Sequence, residues 1–425
     1  MEATDESAEF VERVAALDIG KANLVACIRV PHERLPGRRR QEVAEYATTT
    51  GALLHLADQL RRLQVTRVAM EATSDYWKPV FYLLEAEGFQ CWLLNASHVK
   101  NVPGRPKTDK LDAVWLAKVV ERGICAPSFV PPKPIRQLRD LTRYRRSLIR
   151  DRTREKQRLE KLLEDAQIKL SVVASDMFGV SGRAILTALI AGERDPQVLA
   201  ELARGRLRAK ITQLREALTG HFADHHALLC AKMLQRIDAM TADISELNTV
   251  IETVISPYAA QVAQLDEVTG IGATCAQELI AELGVDMTVF PTAKHLASWA
   301  RFAPRANQSA GKTKPATTGK GNPWLASTLG EITAVLARSD TFLGERYRRL
   351  SRRRGKLRAI VATGNSIRTV IWHLLADPTA RYHDLGANYH DTRYHQHLQH
   401  NLIHQLERIT GQQVTLTTRI DASAT

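Results

Sequence analysis

The sequence predicts an α/β domain followed by a largely all-α region. Three observations predict it. Residues 14–94 alternate short apolar, β-rich runs with leucines at helical spacing. Residues 135–170 contain no Pro or Gly, and their apolar positions recur at helical intervals. A proline-rich break, Pro127–Pro134 (PSFVPPKP), separates the two patterns.

Composition narrows the class. A chain of 425 residues holds two or more domains and buries a sizeable core. Hydrophobic residues make up 44% and charged residues 25%, the balance of an ordinary soluble protein. The formal net charge of +13 favours a polyanionic partner such as nucleic acid. Cys27, Cys91, Cys125, Cys230 and Cys275 are scattered and form no CxxC pair. That pattern fits a reducing cytosol and no structural zinc. The first 20 residues are acidic and lack a signal-peptide core, and no apolar run suits a membrane span. The expected location is cytoplasmic, with no membrane partner.

In chain order, residues 1–12 are acidic and loose. Val14–Asp18 (VAALD) reads as a buried strand, Ile19-Gly20-Lys21 as a turn and Asn23–Val30 as the next strand. Glu42–Thr49 is a third strand. Gly51–Leu63, with leucines at 53, 54, 56, 60 and 63, is a helix. Val65–Glu71 is a strand, Tyr76–Glu87 a helix, Phe89–Leu94 a strand and Asp109–Arg122 a helix. Three hairpin-linked strands, then helix, strand, helix, strand, helix, is the ribonuclease-H-like (RuvC-like) order, a mixed sheet with helices on its faces.

Within RPKTDKLDAVWLAK (Arg105–Lys118), Asp109 and Asp112 stand three apart in a first helical turn, on one face. Carboxylates that close repel unless a positive charge lies between them. Alone, the pair is as well read as a helix start that suits the dipole, with Thr108 as N-cap. Two upstream acids change the reading. Asp18 falls on the first strand, and Glu71 ends the fourth, which in this order lies beside the first. Asp18, Glu71, Asp109 and Asp112 then converge as hard oxygen ligands suited to Mg²⁺ or Mn²⁺. An acid at a strand end is usually a turn cap or solvated. Four in this element order seldom arise by chance.

LDIGKAN, AMEATSDYW and PGRPKTDKLDAVWLAK resemble the DEDD transposases of bacterial insertion sequences. The resemblance implies a RuvC-like catalytic domain whose four acids are Asp18, Glu71, Asp109 and Asp112. Lys107 and Lys110, in the same motif, are candidate phosphate contacts. Ser74, Tyr76 and Trp77 lie by the metal site or serve as a helix N-cap and core aromatics.

After the break, Ile135–Leu170 reads as one long helix or two. Lys133–Lys161 holds 12 Lys/Arg against 4 Asp/Glu, an imbalance favouring a coiled-coil arm whose basic face tracks a phosphate backbone over a solvated helix. Arg143 and Arg146 are the candidate contacts. Gly182–Ala191, Asp195–Ala203 and Leu207–Leu218 are shorter helices, and Leu228–Ile255 is a long one expected to return antiparallel. His221, His225 and His226 are close, but adjacent histidines cannot both share a face with His221, so no metal site is expected there.

Val268-Thr-Gly-Ile-Gly-Ala resembles the turn of a helix–hairpin–helix. Gly270 and Gly272 would turn backbone N–H groups outward to DNA phosphates. ANQSAGKTKPATTGKGN (Ala306–Asn322) is loop-like and basic, without the spacing of a Walker P-loop. Its Ser309 is a candidate nucleophile flanked by Lys312, Lys314 and Lys320, or polar filler in a phosphate-binding loop. Arg346–Arg358, including Arg353, is a further basic surface. The tail from Ala380 carries six histidines and reads as poorly ordered or peripheral, without a metal site.

Leu265–Ala376 resembles the C-terminal transposase domain of the same insertion elements, through the hairpin, LASWA-x-x-APR, S-x-GK, K-x-GN and a later basic helix. The family's catalytic serine maps to Ser309, with Ala310 where the family commonly has Gly or another small residue. Arg301, Arg305, Lys312 and Lys320 are candidate phosphate contacts. The resemblance implies Mg²⁺-dependent DNA cleavage and exchange through a phosphoserine link, donor and target DNA as substrates, a non-coding bridging RNA and a homo-oligomer, dimer or tetramer. The expected domains are 1–12, a loose N-terminus; 13–128, RuvC-like; 129–260, the helical arm; 261–379, the transposase domain; and 380–425, the His-rich tail. The rival readings are a RuvC-like junction nuclease that cuts by water attack, and a non-catalytic nucleic-acid scaffold.

Overall fold

A computed structural model describes residues 10–72, 74–95, 109–301, 307–309, 312–314, 319 and 321–415. The chain divides into two compact units, Met1–Val130 and Pro131–Thr425.

The first unit runs β1 (Val14–Ile19), β2 (Asn23–Pro31), β3 (Arg39–Ala47), α1 (Thr50–Arg62), β4 (Arg67–Glu71), α2 (Trp77–Ala86), β5 (Gln90–Leu94) and α3 (Asp109–Glu121). Its five-stranded sheet has the order β3-β2-β1-β4-β5. The first three strands pair antiparallel, and β1–β4 and β4–β5 pair parallel. This is the mixed sheet of a ribonuclease-H-like domain. Side chains alternate across a strand, so β1 splits into two cores. Ala15, Leu17 and Ile19 pack with Val68 and Met70 of β4 beneath Leu53, Leu56 and Leu60 of α1 and Val80 and Leu84 of α2. Val14 and Ala16 join Ala69 and Leu94 beneath Ala113, Leu116, Ala117 and Val120 of α3. Each large side chain buried this way contributes about 1.5–3 kcal/mol.

The second unit begins with α4 (Lys133–Asp165), a single helix. After α5 (Leu170–Val173), α6 (Val180–Ile190), α7 (Pro196–Glu201) and α8 (Ile211–Ala217), the long α9 (Asp224–Ile255) returns along it. Side-chain contacts fix the direction: Arg145 with Asn248, Arg152 with Thr241, Glu155 with Arg236 and Asp165 with His226. Each step forward on α4 meets a step back on α9. The short helices close the far end around Leu159, Leu163, Ile185, Leu189, Leu199, Leu214 and Leu234.

Next come α10 (Ala259–Asp266), α11 (Ala273–Leu283), α12 (Ala293–Ala300), the hairpin β6 (Asn307–Ser309) and β7 (Lys312–Lys314), α13 (Pro323–Leu336), α14 (Phe342–Arg354) and α15 (Lys356–Ala376). Leu329, Ile332 and Leu336 of α13 and Ile367, Ile371 and Leu374 of α15 are buried. In the tail, read from sequence as poorly ordered or peripheral, Tyr389–Thr410 forms a helix, α16. Leu398, Leu402 and Leu406 recur on it every four residues and remain exposed. A helical stripe overrides the polar composition there. Among the described residues, no helix is long and apolar enough to cross a membrane.

Candidate active site

Asp18 is the fifth residue of β1 and Glu71 the last of β4. The parallel register pairs Leu17 with Met70, so both acids stand one residue beyond that pair, side by side at the strands' C-terminal ends. Strand parity puts them on one face. Val14 and Ala16 face α3, so Asp18 does; Ala69 faces α3, so Glu71 does. Asp18 is half-buried and Glu71 is 8% exposed.

The direction of α3 brings its acids to the same end. At its C-terminus, the Val11 N–H donates to the Glu121 carbonyl at 2.9 Å. The Glu121 carboxylate accepts from Arg29 Nε at 3.1 Å and pairs with Arg39 Nε at 2.6 Å. Arg29 lies opposite Val14, the first residue of β1. The last turn of α3 is therefore fixed beside the start of β1. Nine residues back along α3, from Glu121 to Asp112, cover about 13 Å at 1.5 Å per residue. Four residues forward along β1, from Val14 to Asp18, cover about 13 Å at 3.3 Å per residue. The helix start and the strand end coincide. Position 112 stands four residues before Leu116, so it continues the stripe that faces the sheet. Asp112 is half-buried; the Asp109 side chain lies outside the described residues.

Hard divalent cations take oxygen ligands and tolerate several carboxylates. Asp18, Glu71 and Asp112 are all carboxylates, on strands and a helix held by two cores, so the donor set fits such an ion. Thiolate or imidazole donors of a zinc-type site are absent from these three positions.

Of the expected nucleic-acid contacts, Lys107, Arg305 and Lys320 lie outside the described residues. Lys110 is in the first turn of α3, and Lys312 pairs with Ser309 across the β6–β7 hairpin. Arg353 is exposed in the last turn of α14 with Arg352 and Arg354, where cations suit the helix dipole.

Two expectations need correcting. Arg146 is buried and bonds to Glu278, Glu331 and Thr328, while Arg143 forks onto Glu282 at 2.7 and 2.8 Å. Both guanidinium groups are committed to carboxylates of the same unit, because this face of α4 packs on α11 and α13. Arg145, also buried, bonds Gln277 and Asn248, and burial lowers its pKa. Glu278 is shifted upward by the same loss of solvent, against Thr328, Arg146 and Arg145. Gly270 also differs. Its φ of +90° requires glycine, and a Cβ there would meet the Ile332 carbonyl at 3.2 Å. It packs on α13 rather than facing outward. Gly272, at the N-terminus of α11, faces open space.

The histidines near 225 do meet an acid. Donor atoms of Asp165, His225 and His226 lie within 4.8 Å of one another. His226 Nδ1 accepts the Ala223 N–H at 3.0 Å, which leaves the proton on Nε2, facing Asp165 at 3.1 Å. The contact caps α9 and ties it to the end of α4.

What sequence reasoning missed is Glu121, which fixes the end of α3. An acid in a last helical turn opposes the helix dipole and was the available signal.

Residues 15–168 match the family model of the DEDD transposases of IS110 elements, and residues 262–348 match that of the IS116/IS110/IS902 transposase family. The mixed sheet and the first match define a transposase domain of ribonuclease-H-like fold. The second match names the same elements, and the chain belongs to the IS110 family of DEDD transposases. No curated relative matches it.

Proposed function

We propose that this transposase cleaves and rejoins DNA strands with two sets of residues. Asp18, Glu71, Asp109 and Asp112 hold Mg²⁺ or Mn²⁺, and Ser309 is the nucleophile. The observation that carries the reading is the meeting of Asp18 and Glu71 with the N-terminus of α3, through sheet register and the Glu121 clamp. A bound divalent cation would neutralise phosphate charge and polarise the phosphoryl group.

In the serine step, an Oγ–P bond forms as the P–O bond to the leaving deoxyribose oxygen breaks. The serine proton passes to solvent base, and the leaving oxygen takes up one. One phosphoester replaces another, so rejoining needs no added energy source. Gly272 at a helix start and exposed Arg353 are suited to DNA phosphates, as are Lys107, Lys110, Arg305, Lys312 and Lys320 by their place in the motifs. Guidance by a bridging RNA and action as a homo-oligomer rest on the family resemblance.

The test is a DNA-cleavage assay resolved on denaturing gels. Ser309→Ala abolishes the covalent protein–DNA adduct. Asp18→Asn and Glu71→Gln each lower adduct formation by about 100-fold or more, given what one well-placed electrostatic group contributes. Cleavage by Ser309→Ala without an adduct would instead favour metal-activated water as the nucleophile.

A further inference from the structure

The stretch that carries Ser309 leaves α12 at Ala300 and enters α13 at Pro323. Its two ends meet. Arg301 closes α12 in the left-handed conformation, φ 49°. Gly321 returns so closely to this point that any Cβ on it would overlap the Ala300 carbonyl oxygen. A Cβ on Gly319 would meet the Arg301 side chain at 3.1 Å. Only glycine permits backbone to approach backbone this way.

The next residue locks the return. Asn322 Oδ1 caps α13, accepting from the N–H groups of Trp324 at 3.0 Å and Leu325 at 3.2 Å. Its Nδ2 donates to Glu282 Oε2. Glu282 is 3% exposed and sits in the last turn of α11, where the helix dipole disfavours a carboxylate. Burial and position both count against an acid there. What holds it comes from α4. Arg143 forks onto both carboxylate oxygens, and Arg139 donates to the Ala281 and Glu282 carbonyls at 2.9 and 2.8 Å. A cap alone needs only the Asn322 oxygen. The amide nitrogen and the buried acid do something further.

We propose that Asn322 and Glu282 are positioning residues for strand cleavage: with Gly321 they pin the neck of the Ser309-bearing stretch to α4 and so fix where the serine stands. The proposal rests on Ser309 being the nucleophile. A misplacement near 1 Å at a reacting atom costs up to about 100-fold in rate, which a neck open on one side would allow.

The experiment uses the full chain with DNA. Asn322→Asp keeps the capping oxygen but sets a second carboxylate against Glu282. The double variant Asn322→Asp with Glu282→Gln exchanges donor and acceptor, because the amide introduced at position 282 can donate to the new carboxylate and still accept from Arg143. Asn322→Ser keeps a cap and is too short to reach Glu282; it stands in if the aspartate variant does not fold. The proposal expects Asn322→Asp to slow adduct formation by about tenfold or more at unchanged half-saturating DNA concentration. It expects faster hydrogen exchange at the β6–β7 hairpin and Gly321, and return of both in the double variant. Wild-type adduct rate and exchange in Asn322→Asp or Asn322→Ser would overturn it. So would a double variant that regains the wild-type unfolding temperature without regaining adduct rate. If Ser309→Ala still forms the adduct, the nucleophile assignment fails, whereas the exchange measurements still report on the neck alone.

Discussion

Two glutamates in this protein stand where local rules disfavour an acid. Glu121 ends α3 and Glu282 lies in the last turn of α11, both 3% exposed and both clamped by two arginines from elsewhere in their own unit. Breaking a local rule is informative when something specific compensates for it. For Glu121 the compensation sets the direction of α3 and hence the location of Asp112. Glu121→Ala should lower the stability of the first unit by about 3 kcal/mol, because it leaves Arg29 and Arg39 partly buried without their partner. Urea titration of residues 10–130 checks this. Cleavage should fall further than stability alone explains, since the α3 acids lose their anchor.

At the scale of elements, the strands carrying Asp18 and Glu71 were legible because their apolar runs and the order of elements mark them. VAALD places Asp18 one residue beyond apolar neighbours, and AME does the same for Glu71. Which face they share needed the register, since element order alone puts the two strands side by side without saying where each side chain points. The arm was less legible. An excess of Lys/Arg over Asp/Glu reports net charge and not which face packs, so Arg143 and Arg146 read as phosphate contacts although they bind Glu282 and Glu278. Gly270 misled for a similar reason: a positive φ looks the same in sequence whether the turn faces solvent or a helix. Another acid joins elements late in the chain. Glu267, just after α10, accepts from the Tyr382 N–H at 3.0 Å and pairs with Arg381. The backbone bond from Tyr382 and the Arg381 contact hold its pKa below the ordinary carboxylate range. A depressed carboxylate stabilises the fold above its unfolded pKa, and the contribution disappears as pH falls through the folded value. Glu267→Gln should therefore lower the unfolding temperature slightly at pH 7, with a smaller difference at an acid pH below the folded value. Calorimetry at the two pH values checks both.

At the scale of the whole molecule, each unit carries its own core, so each should unfold cooperatively by itself. A fragment of residues 10–130 should melt in one sharp transition, and a broad, probe-dependent melt would show that its core depends on the rest of the chain. The paired helices α4 and α9 carry a different implication. About 33 residues at 1.5 Å each make α4 a strut about 50 Å long, with the Leu159–Leu234 cluster at one end and the Glu282 clamp near the other. Its length is a ruler written in helical turns. Seven residues added to both helices at matched points would lengthen it by about 10 Å and nearly preserve which faces meet. Two added residues would turn the segments beyond the insertion by about 200° and break the cross-helix contacts there. Evolution could therefore change the span between the two ends only in quantised steps.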